Sequence, residues 1–135
     1  MPFVLDCSVA LAWVFPDESS PELDRLQDSL ESDFAIVPAH WSLEFANALL
    51  MARRRGRISV AQMKTTLAWI GELSVEVDDR TFAQGLNSTL TLADKYGLTS
   101  YDAAYLELAI RSGFPLATLD KALKAAAVRS GIRTL

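Results

Sequence analysis

The amino-acid sequence predicts an α/β protein with a mainly parallel central sheet of four to five strands. Short apolar runs alternate along the chain with longer segments of helical periodicity, and parallel strands need such segments as crossover helices. Right-handed crossovers cover both faces of the sheet with helices, which gives three layers. The chain has the length of one domain, and we expect residues 1–135 to form it.

The first predicted strand and two helices occupy the N-terminal part of the chain. The apolar residues 3–5 predict a short buried strand, and residues 8–15 predict the helix that follows it. Pro16 ends this helix because the residue before a proline avoids helical backbone angles. Ser20 and Pro21 then begin a second helix, as its N-cap and its first helical residue.

The second strand and two further helices follow. The apolar residues 34–37 predict the strand, and residues 40–55 predict a third helix. Gly56 ends that helix because glycine readily adopts the left-handed conformation that terminates helices. A Ser-x-x-Gln pattern that begins at Ser59 is a capping box, and it starts a fourth helix that extends to about Leu73.

The third strand is predicted at residues 74–77 and is followed by two helices. The first runs from about residue 79 to 96 and contains Gly85, which costs about 1 kcal/mol inside a helix. Thr99 or Ser100 caps the second helix, which ends just before a glycine.

The C-terminal part of the chain completes the sheet. Residues 115–119 predict a fourth strand, and residues 121–129 predict the last helix. Residues 132–134 predict a final strand at the edge of the sheet. The pattern of elements therefore repeats the strand–helix–strand unit from end to end.

Hydropathy, cysteine content and charge limit the class of protein. The longest wholly apolar run, residues 9–15, is far shorter than the roughly 20 residues of a membrane span, and no signal peptide is predicted. One cysteine, Cys7, excludes an internal disulfide framework and fits a reducing compartment, so we expect a cytoplasmic protein. The formal net charge of −4 initially disfavours a nucleic-acid partner, since such proteins usually carry a basic surface.

Two carboxylates directly follow predicted strands. Asp6 follows the first strand, and Asp120 follows the fourth. The carboxyl ends of parallel strands lie at one edge of the sheet, which is where open α/β sheets bind ligands. The alternative is that each aspartate caps the helix after it, a role for which aspartate is well suited. Taken one at a time, both residues leave the two interpretations open.

Two further carboxylates lie on predicted helices. Asp102 is aligned with Tyr105 on an apolar stripe, where an ionised carboxylate is costly unless it is paired or bound to metal. Alternatively, Asp102 lies in the first turn, where the helix dipole favours an anion. Glu44 follows the second strand closely, but on its own it also fits a solvated helix residue. Glu107 and Arg111 predict an i,i+4 ion pair on the surface.

Carboxylates gathered at one edge of a sheet are typical of a divalent-cation site. Mg²⁺ and Mn²⁺ take oxygen ligands, and Mg²⁺ usually keeps several waters. Such ions bind a phosphodiester, lower the pKa of a bound water and stabilise the leaving oxygen. Without metal, two carboxylates about 5 Å apart repel each other by about 3 kcal/mol at an effective dielectric constant of 20. Stability alone therefore explains such a group poorly.

The chain resembles PIN domains of the VapC type, which are the toxins of bacterial type II toxin–antitoxin pairs. The resemblance covers essentially the whole chain, and four motifs in order carry it. They are VLDCS at residues 4–8, EFANAL at 44–49, LTSYDAAY at 98–105 and PLATLD at 115–120. Each motif is weakly specific alone, whereas all four at fitting spacings are strongly specific.

The resemblance implies a three-layer α/β/α PIN-like fold and a Mg²⁺-dependent endoribonuclease in which Mn²⁺ can substitute. By position, it makes four carboxylates both catalytic and metal-binding, and we call them the acidic quartet: Asp6, Glu44, Asp102 and Asp120. It makes Ser8, Asn47 and Thr118 the polar residues that orient these carboxylates or bound water. It further implies an RNA substrate, a cognate antitoxin protein and a homodimer.

One basic cluster is present. It consists of Arg53, Arg54, Arg55 and Arg57. It fits a solvated helix terminus, where cations favour the dipole, and it equally fits a surface for RNA phosphates or for an acidic partner segment. Without the acidic quartet the chain has 13 acidic and 13 basic side chains, so the net charge does not argue against RNA.

One other enzyme class and one class without catalysis are weighed against the nuclease. An aspartate-dependent phosphatase usually has a second aspartate two residues after the first, and Ser8 at that position counts against this class. His40 is the single histidine, which excludes a multi-histidine metal site, and we expect it to cap a helix or lie on the surface. A catalytically silent metal-binding interaction module is the remaining alternative.

Overall fold

The computed structural model describes all 135 residues and confirms the predicted parallel sheet. Its four strands are β1 (Phe3–Leu5), β2 (Ala35–Val37), β3 (Val75–Val77) and β4 (Leu116–Ala117). They are arranged in the order β3-β2-β1-β4, and every neighbouring pair is parallel. The predicted final strand is reduced to one parallel bridge between Leu116 and Thr134, because the short β4 offers a single partner residue at this edge.

Eight α-helices connect and cover the strands. They are α1 (Cys7–Val14), α2 (Pro21–Asp28), α3 (Trp41–Arg54), α4 (Val60–Ile70), α5 (Thr81–Gln84), α6 (Leu90–Tyr96), α7 (Ser100–Ser112) and α8 (Lys121–Arg129). The predicted caps form: Ser20 and Thr99 accept hydrogen bonds from backbone N–H groups, and Ser59 makes a reciprocal capping box with Gln62. None of the eight helices has the length and hydropathy that a membrane span requires.

The single long helix predicted after β3 is wrong. The segment is divided into α5 and α6 by a π-type turn, Gly85–Thr89, in which Asn87 has the non-helical angles φ −127° and ψ −107°. Glycine, asparagine, serine and threonine are all weak helix formers, and this turn contains one of each within five residues. The local sequence therefore interrupts the helix although its apolar periodicity continues.

Two groups of helices enclose the sheet. On one side α1 packs against α2 and α3, and on the other α7 packs against α6, α8 and β1. The three residues of β1 are completely buried, and so is the middle of α7 from Ala103 to Ala109. This three-layer arrangement follows from right-handed crossovers, which place the helices before and after β3 on opposite faces.

The strand order creates one crevice at the carboxyl ends of β1 and β4. The chain moves outward from β1 through β2 to β3, and it then returns to place β4 on the other side of β1. The connections therefore leave β1 and β4 in opposite directions, which is the topological switch point at which such sheets bind ligands.

A buried ion-pair network ties α7 to the end of β3. The Arg111 guanidinium donates to Asp78, at 2.7 and 2.9 Å, and to Glu107, at 2.6 and 3.0 Å. Both carboxylates are buried, so the prediction of a surface pair between Glu107 and Arg111 is wrong. Burial opposes ionisation of Asp78, but hydrogen bonds from Arg111 and Thr81 lower its pKa below the ordinary value. The hydrogen bonds to Asp78 and Glu107 raise the pKa of Arg111 above its ordinary value.

Replacing the central arginine tests this network. Arg111→Met leaves two buried carboxylates without a cation, and it should lower the free energy of unfolding at pH 7 by about 3–5 kcal/mol in urea denaturation. The depressed pKa of Asp78 means that the stabilisation is complete above the ordinary carboxyl pKa and is lost as the pH falls below it. The difference between variant and wild type should therefore shrink from pH 5 to pH 3.

The matched control is Arg25→Met, which alters an exposed arginine on α2. It should change the unfolding free energy by less than about 0.5 kcal/mol at every pH. An equal effect of both substitutions, or a loss for Arg111→Met that does not change with pH, would contradict a buried network.

Candidate active site

Asp6 is buried at the end of β1 and is held by two hydroxyl groups. Ser8 Oγ and Thr118 Oγ1 both donate to Asp6 Oδ2, at 2.6 and 2.7 Å, which leaves Oδ1 for a ligand. The two hydroxyl oxygens in turn accept from the backbone N–H groups of Leu119 and Asp120, at 3.0 Å each. These bonds explain why β4 ends at Ala117, earlier than predicted: the three residues after the strand are hydrogen-bonded to the groups that hold Asp6 instead of continuing the sheet.

The helix-cap interpretation is wrong for one of the two aspartates that follow strands. Asp6 is at the N-cap position of α1, but its side chain makes no capping hydrogen bond. Asp120 does cap α8, because its Oδ1 accepts from the backbone N–H of Leu123 at 2.8 Å. Its Oδ2 accepts no hydrogen bond within the chain, so capping does not prevent Asp120 from contributing to a cation site.

Glu44 approaches from the helix layer on the α3 side. Its Oε1 accepts from the Tyr105 hydroxyl at 2.5 Å, and it lies 3.1 Å from His40 Nε2. Tyr105 belongs to α7, in the opposite helix layer, so this contact passes across the end of the sheet. His40 occupies the N-cap position of α3 but its side chain makes no capping hydrogen bond, so of the two expected roles, helix cap or surface residue, the side-chain cap does not form.

Asp102 lies in the first turn of α7 and also on its buried side. Its backbone N–H donates to the capping hydroxyl of Thr99 at 3.1 Å, as the first-turn interpretation requires. Its side chain is half-buried one turn before Tyr105, which is completely buried. The two interpretations of Asp102 are therefore compatible.

The members of the acidic quartet act on one another electrostatically. Burial raises the pKa of Asp6 above its ordinary value, against the lowering effect of its two hydroxyl partners. Burial also raises the pKa of Asp102, and repulsion from each of the other three members adds to the increase. The ionised quartet is thus destabilised, and a cation bound among these groups would relieve the repulsion.

The donor set fits a hydrated divalent cation. All four side chains offer oxygen, which Mg²⁺ and Mn²⁺ prefer. No three histidine, cysteine or acidic side chains converge closely enough to enclose one metal ion by themselves. Mg²⁺ usually binds through one or two carboxylates and keeps several waters, so a closed protein cage is not needed.

Comparison with known families agrees with this geometry. A family model that describes the PIN domain matches residues 3–129. The chain belongs to the PIN domain family. This PIN domain is also 32% identical to Ribonuclease VapC3 of Pyrobaculum aerophilum over 123 residues, which make up 91% of this chain and 92% of that protein. The resemblance to PIN domains of the VapC type is therefore confirmed.

Solved structures share the fold of this PIN domain. The crystal structure of VapBC2 of Rickettsia felis, bound to a DNA fragment from its promoter, matches this chain with a TM-score of 0.70 and 11% sequence identity. The match covers 100% of this chain and 98% of that chain. The structure of FitAcB of Neisseria gonorrhoeae matches with a TM-score of 0.66 and 15% sequence identity, and the match covers 100% of this chain and 96% of that chain. At these identities the likeness concerns the fold, and it confirms the predicted three-layer architecture.

The remaining predicted site residues of the PIN domain differ in their surroundings. Ser8 and Thr118 contact Asp6 directly, whereas Asn47 is exposed on α3 and makes no hydrogen bond to a quartet member. The arginines of the basic cluster are exposed, and Arg57 is bound to Asp17 within the chain.

Sequence reasoning missed two residues that contact Glu44. Tyr105 was interpreted as a member of an apolar stripe, and His40 as a cap or surface residue. Their spacing contained a usable signal, because His40 is four residues before Glu44 and Tyr105 is three after Asp102. Residues at these spacings share one side of a helix.

Substitution of Asp102 tests the electrostatic description. Asp102→Asn removes a charge that its neighbours repel, so in metal-free buffer its melting temperature should equal or exceed that of the wild type. Mn²⁺ at 100 times its Kd should stabilise the wild type by about 2.7 kcal/mol and should not stabilise the variant.

The control is Asp94→Asn, at an exposed position on α6, which should keep the full response to Mn²⁺. Thermal denaturation with and without MnCl₂ measures both effects. A clear decrease in melting temperature of Asp102→Asn without metal would instead favour a purely structural role in the first turn of α7.

Proposed function

We propose that this PIN domain is a Mg²⁺- or Mn²⁺-dependent endoribonuclease and the toxin of a type II toxin–antitoxin pair. The observation that carries the proposal is that four carboxylates, from the ends of β1 and β4 and from both helix layers, lie near enough to one another at the switch point of the sheet to repel one another. The 32% identity to a relative named a ribonuclease supports RNA as the substrate class.

Each quartet residue has a definable part in this activity. We assign Asp6 and Asp102 as the most direct ligands of the cation, with Glu44 and Asp120 beside them. When bound, the cation would supply positive charge to the phosphodiester and lower the pKa of an attacking water. Ser8 and Thr118 hold Asp6 in one orientation through Oδ2, so that Oδ1 faces the ligand without rotation of the side chain.

The basic cluster supports recognition of RNA or of a partner. Arg53, Arg54 and Arg55 make no ion pair within the chain, and exposed arginines at a helix terminus are suited to phosphate contacts. Arg57 is bound to Asp17 and lies over the Phe15 ring at 3.8 Å, so it is less available for contacts with RNA or a partner.

An RNA substrate also implies that the protein acts in the cytoplasm.

A groove beside the quartet is suited to the antitoxin. It has a volume of about 630 Å³, and α1 and α3 provide mostly apolar lining residues, such as Leu11, Ala48 and Met51. Arg55 lies on its border, and Ser8 connects it to the candidate active site. We propose that an apolar segment of the antitoxin, with an acidic side chain opposite Arg55, occupies this groove. The similarity to VapBC2 and FitAcB supports an antitoxin as the partner, and its place in this groove is our proposal.

A homodimer is a further part of the proposal. Phe82 lies in α5 and Leu86 in the π-type turn that follows it, and their side chains are 96% and 93% exposed. Two such large apolar side chains side by side are costly in water and would be covered by a second copy of the chain.

RNA cleavage by the purified protein tests the function. We expect cleavage of labelled RNA with Mg²⁺ or Mn²⁺ and none with EDTA. Asp6→Asn should reduce the rate by more than about 100-fold, beyond the effect expected of an outer-sphere partner, because it removes a carboxylate of the site itself. Asp94→Asn is the matched control and should cleave like the wild type.

Cleavage that survives EDTA, or survives both Asp6→Asn and Asp102→Asn, would contradict a quartet mechanism. Release of phosphate from small phosphomonoesters without RNA cleavage would favour the phosphatase alternative. Metal binding without either reaction would favour the silent interaction module.

A charge in the groove tests the partner surface. Met51→Glu should weaken binding of the antitoxin at least about tenfold, since it places an unpaired charge against an apolar segment, and it should leave RNA cleavage intact. The probe is the product of an open reading frame immediately upstream of this chain's gene that encodes a small protein with a DNA-binding N-terminus, and calorimetry measures its binding. Leu67→Glu, at an exposed position of α4 outside the groove, is the control. Equal binding by both variants would contradict docking in this groove.

A further inference from the structure

We propose that Tyr105 and His40 are positioning residues that hold Glu44 in the orientation needed for cation binding. The inference rests on the proposed function, since it concerns the same site. Neither residue belongs to the acidic quartet, and neither is expected to touch the cation. Their effect on the reaction passes through Glu44.

Tyr105 links the two carboxylates that come from helices. Its ring is completely buried, and its hydroxyl donates to Glu44 Oε1 over a distance of 2.5 Å. Tyr105 is one helical turn after Asp102 on α7, so this bond fixes Glu44 relative to the helix that carries Asp102. A change in the position of α7 would therefore move both carboxylates together.

His40 makes a second link between the same helices. Its Nε2 lies 3.1 Å from Glu44 Oε1 and 3.1 Å from the backbone carbonyl of Tyr101, the residue before Asp102. Both of these oxygens accept, so Nε2 must carry the hydrogen. The imidazole ring also packs edge-on against the Tyr105 ring, with 5.5 Å between ring centroids. The ring is thus held against α7 by the hydrogen bond from Nε2 to the Tyr101 carbonyl, with Nε2 in close contact with Glu44 Oε1.

Tyr105 and His40 contact the same oxygen of Glu44. Tyr105 and His40 both approach Oε1, which leaves Oε2 free for a ligand. Asp6 has the same arrangement, because Ser8 and Thr118 both donate to its Oδ2. Each carboxylate is therefore contacted through one oxygen by a pair of side chains and offers the other, with two hydrogen bonds at Asp6 and one, from Tyr105, at Glu44. Such outer-sphere partners fix ligand orientation, and their loss typically costs 10- to 100-fold in metal affinity or activity.

A purely structural role would have a different signature. If the Tyr105–Glu44 contact only joined α3 to α7, its loss would lower the melting temperature and leave the affinity for metal unchanged. A positioning role changes metal affinity and turnover, and it does so only when Glu44 is present. The two roles are therefore separable by experiment.

Tyr105→Phe is the primary test because it removes the hydroxyl and keeps the ring. Calorimetric titration with MnCl₂ should give a Kd about tenfold weaker than that of the wild type. The kcat for RNA cleavage should fall, with the KM for RNA unchanged. In a Glu44→Gln background, Tyr105→Phe should weaken Mn²⁺ binding no further. Tyr96→Phe, which removes a tyrosine hydroxyl on α6, is the matched control and should bind Mn²⁺ like the wild type.

A pair of His40 variants provides a second test that does not depend on a buried residue. His40→Leu removes the N–H donor and should weaken Mn²⁺ binding several-fold. His40→Gln keeps an N–H donor on a side chain of similar reach, and it should recover most of the affinity. Metal-free melting temperatures of all variants establish that each remains folded, and the His40 pair decides the result if Tyr105→Phe does not fold.

The outcomes separate this inference from the proposed function. Mn²⁺ affinity equal to the wild type in both Tyr105→Phe and His40→Leu would overturn the positioning role, even if the wild type cleaves RNA. Weakened Mn²⁺ binding in these variants, with no RNA cleavage by the wild type, would support positioning and overturn the ribonuclease proposal. No Mn²⁺ binding by the wild type would overturn both.

Discussion

The parallel pairing of β1 with β4 extends to Asp6, whose backbone N–H donates to the carbonyl of Ala117 at 3.0 Å. This bond fixes Asp6 at the carboxyl end of β1. This pairing buries the side chain, and a buried carboxylate must have hydrogen-bond partners. The hydroxyls of Ser8 and Thr118 are these partners, and they in turn hold the backbone that leads to Asp120. The position of the fourth quartet residue thus depends on the hydrogen bonding of the first.

The two helix layers contribute the other half of the site. Glu44 and Asp102 come from opposite sides of the sheet, and the Tyr105 hydroxyl and the His40 ring connect them. Burial, with added repulsion among the four carboxylates, raises the pKa values of Asp6 and Asp102 and costs stability in the absence of a cation. A fold that retains this cost is consistent with a site that is used with metal, and the ion-pair network around Arg111 supplies stability elsewhere.

The sheet, most of the helices and the quartet could be predicted from the sequence because their signals are local. Apolar runs, capping residues and the step from strand to carboxylate are all read within a few positions. The exceptions involve residues far apart in the chain. Arg111 meets Asp78 across 33 residues, and Tyr105 meets Glu44 across 61, so neither pairing leaves a periodic pattern in the sequence.

The direct measurement of the central claim is a crystal structure of the wild-type chain grown with MnCl₂, with anomalous scattering recorded for manganese. We predict an anomalous peak at the carboxyl ends of β1 and β4, within coordination distance of Asp6 and Asp102. A peak at another site, or a quartet without manganese in crystals that bind it elsewhere, would contradict the account.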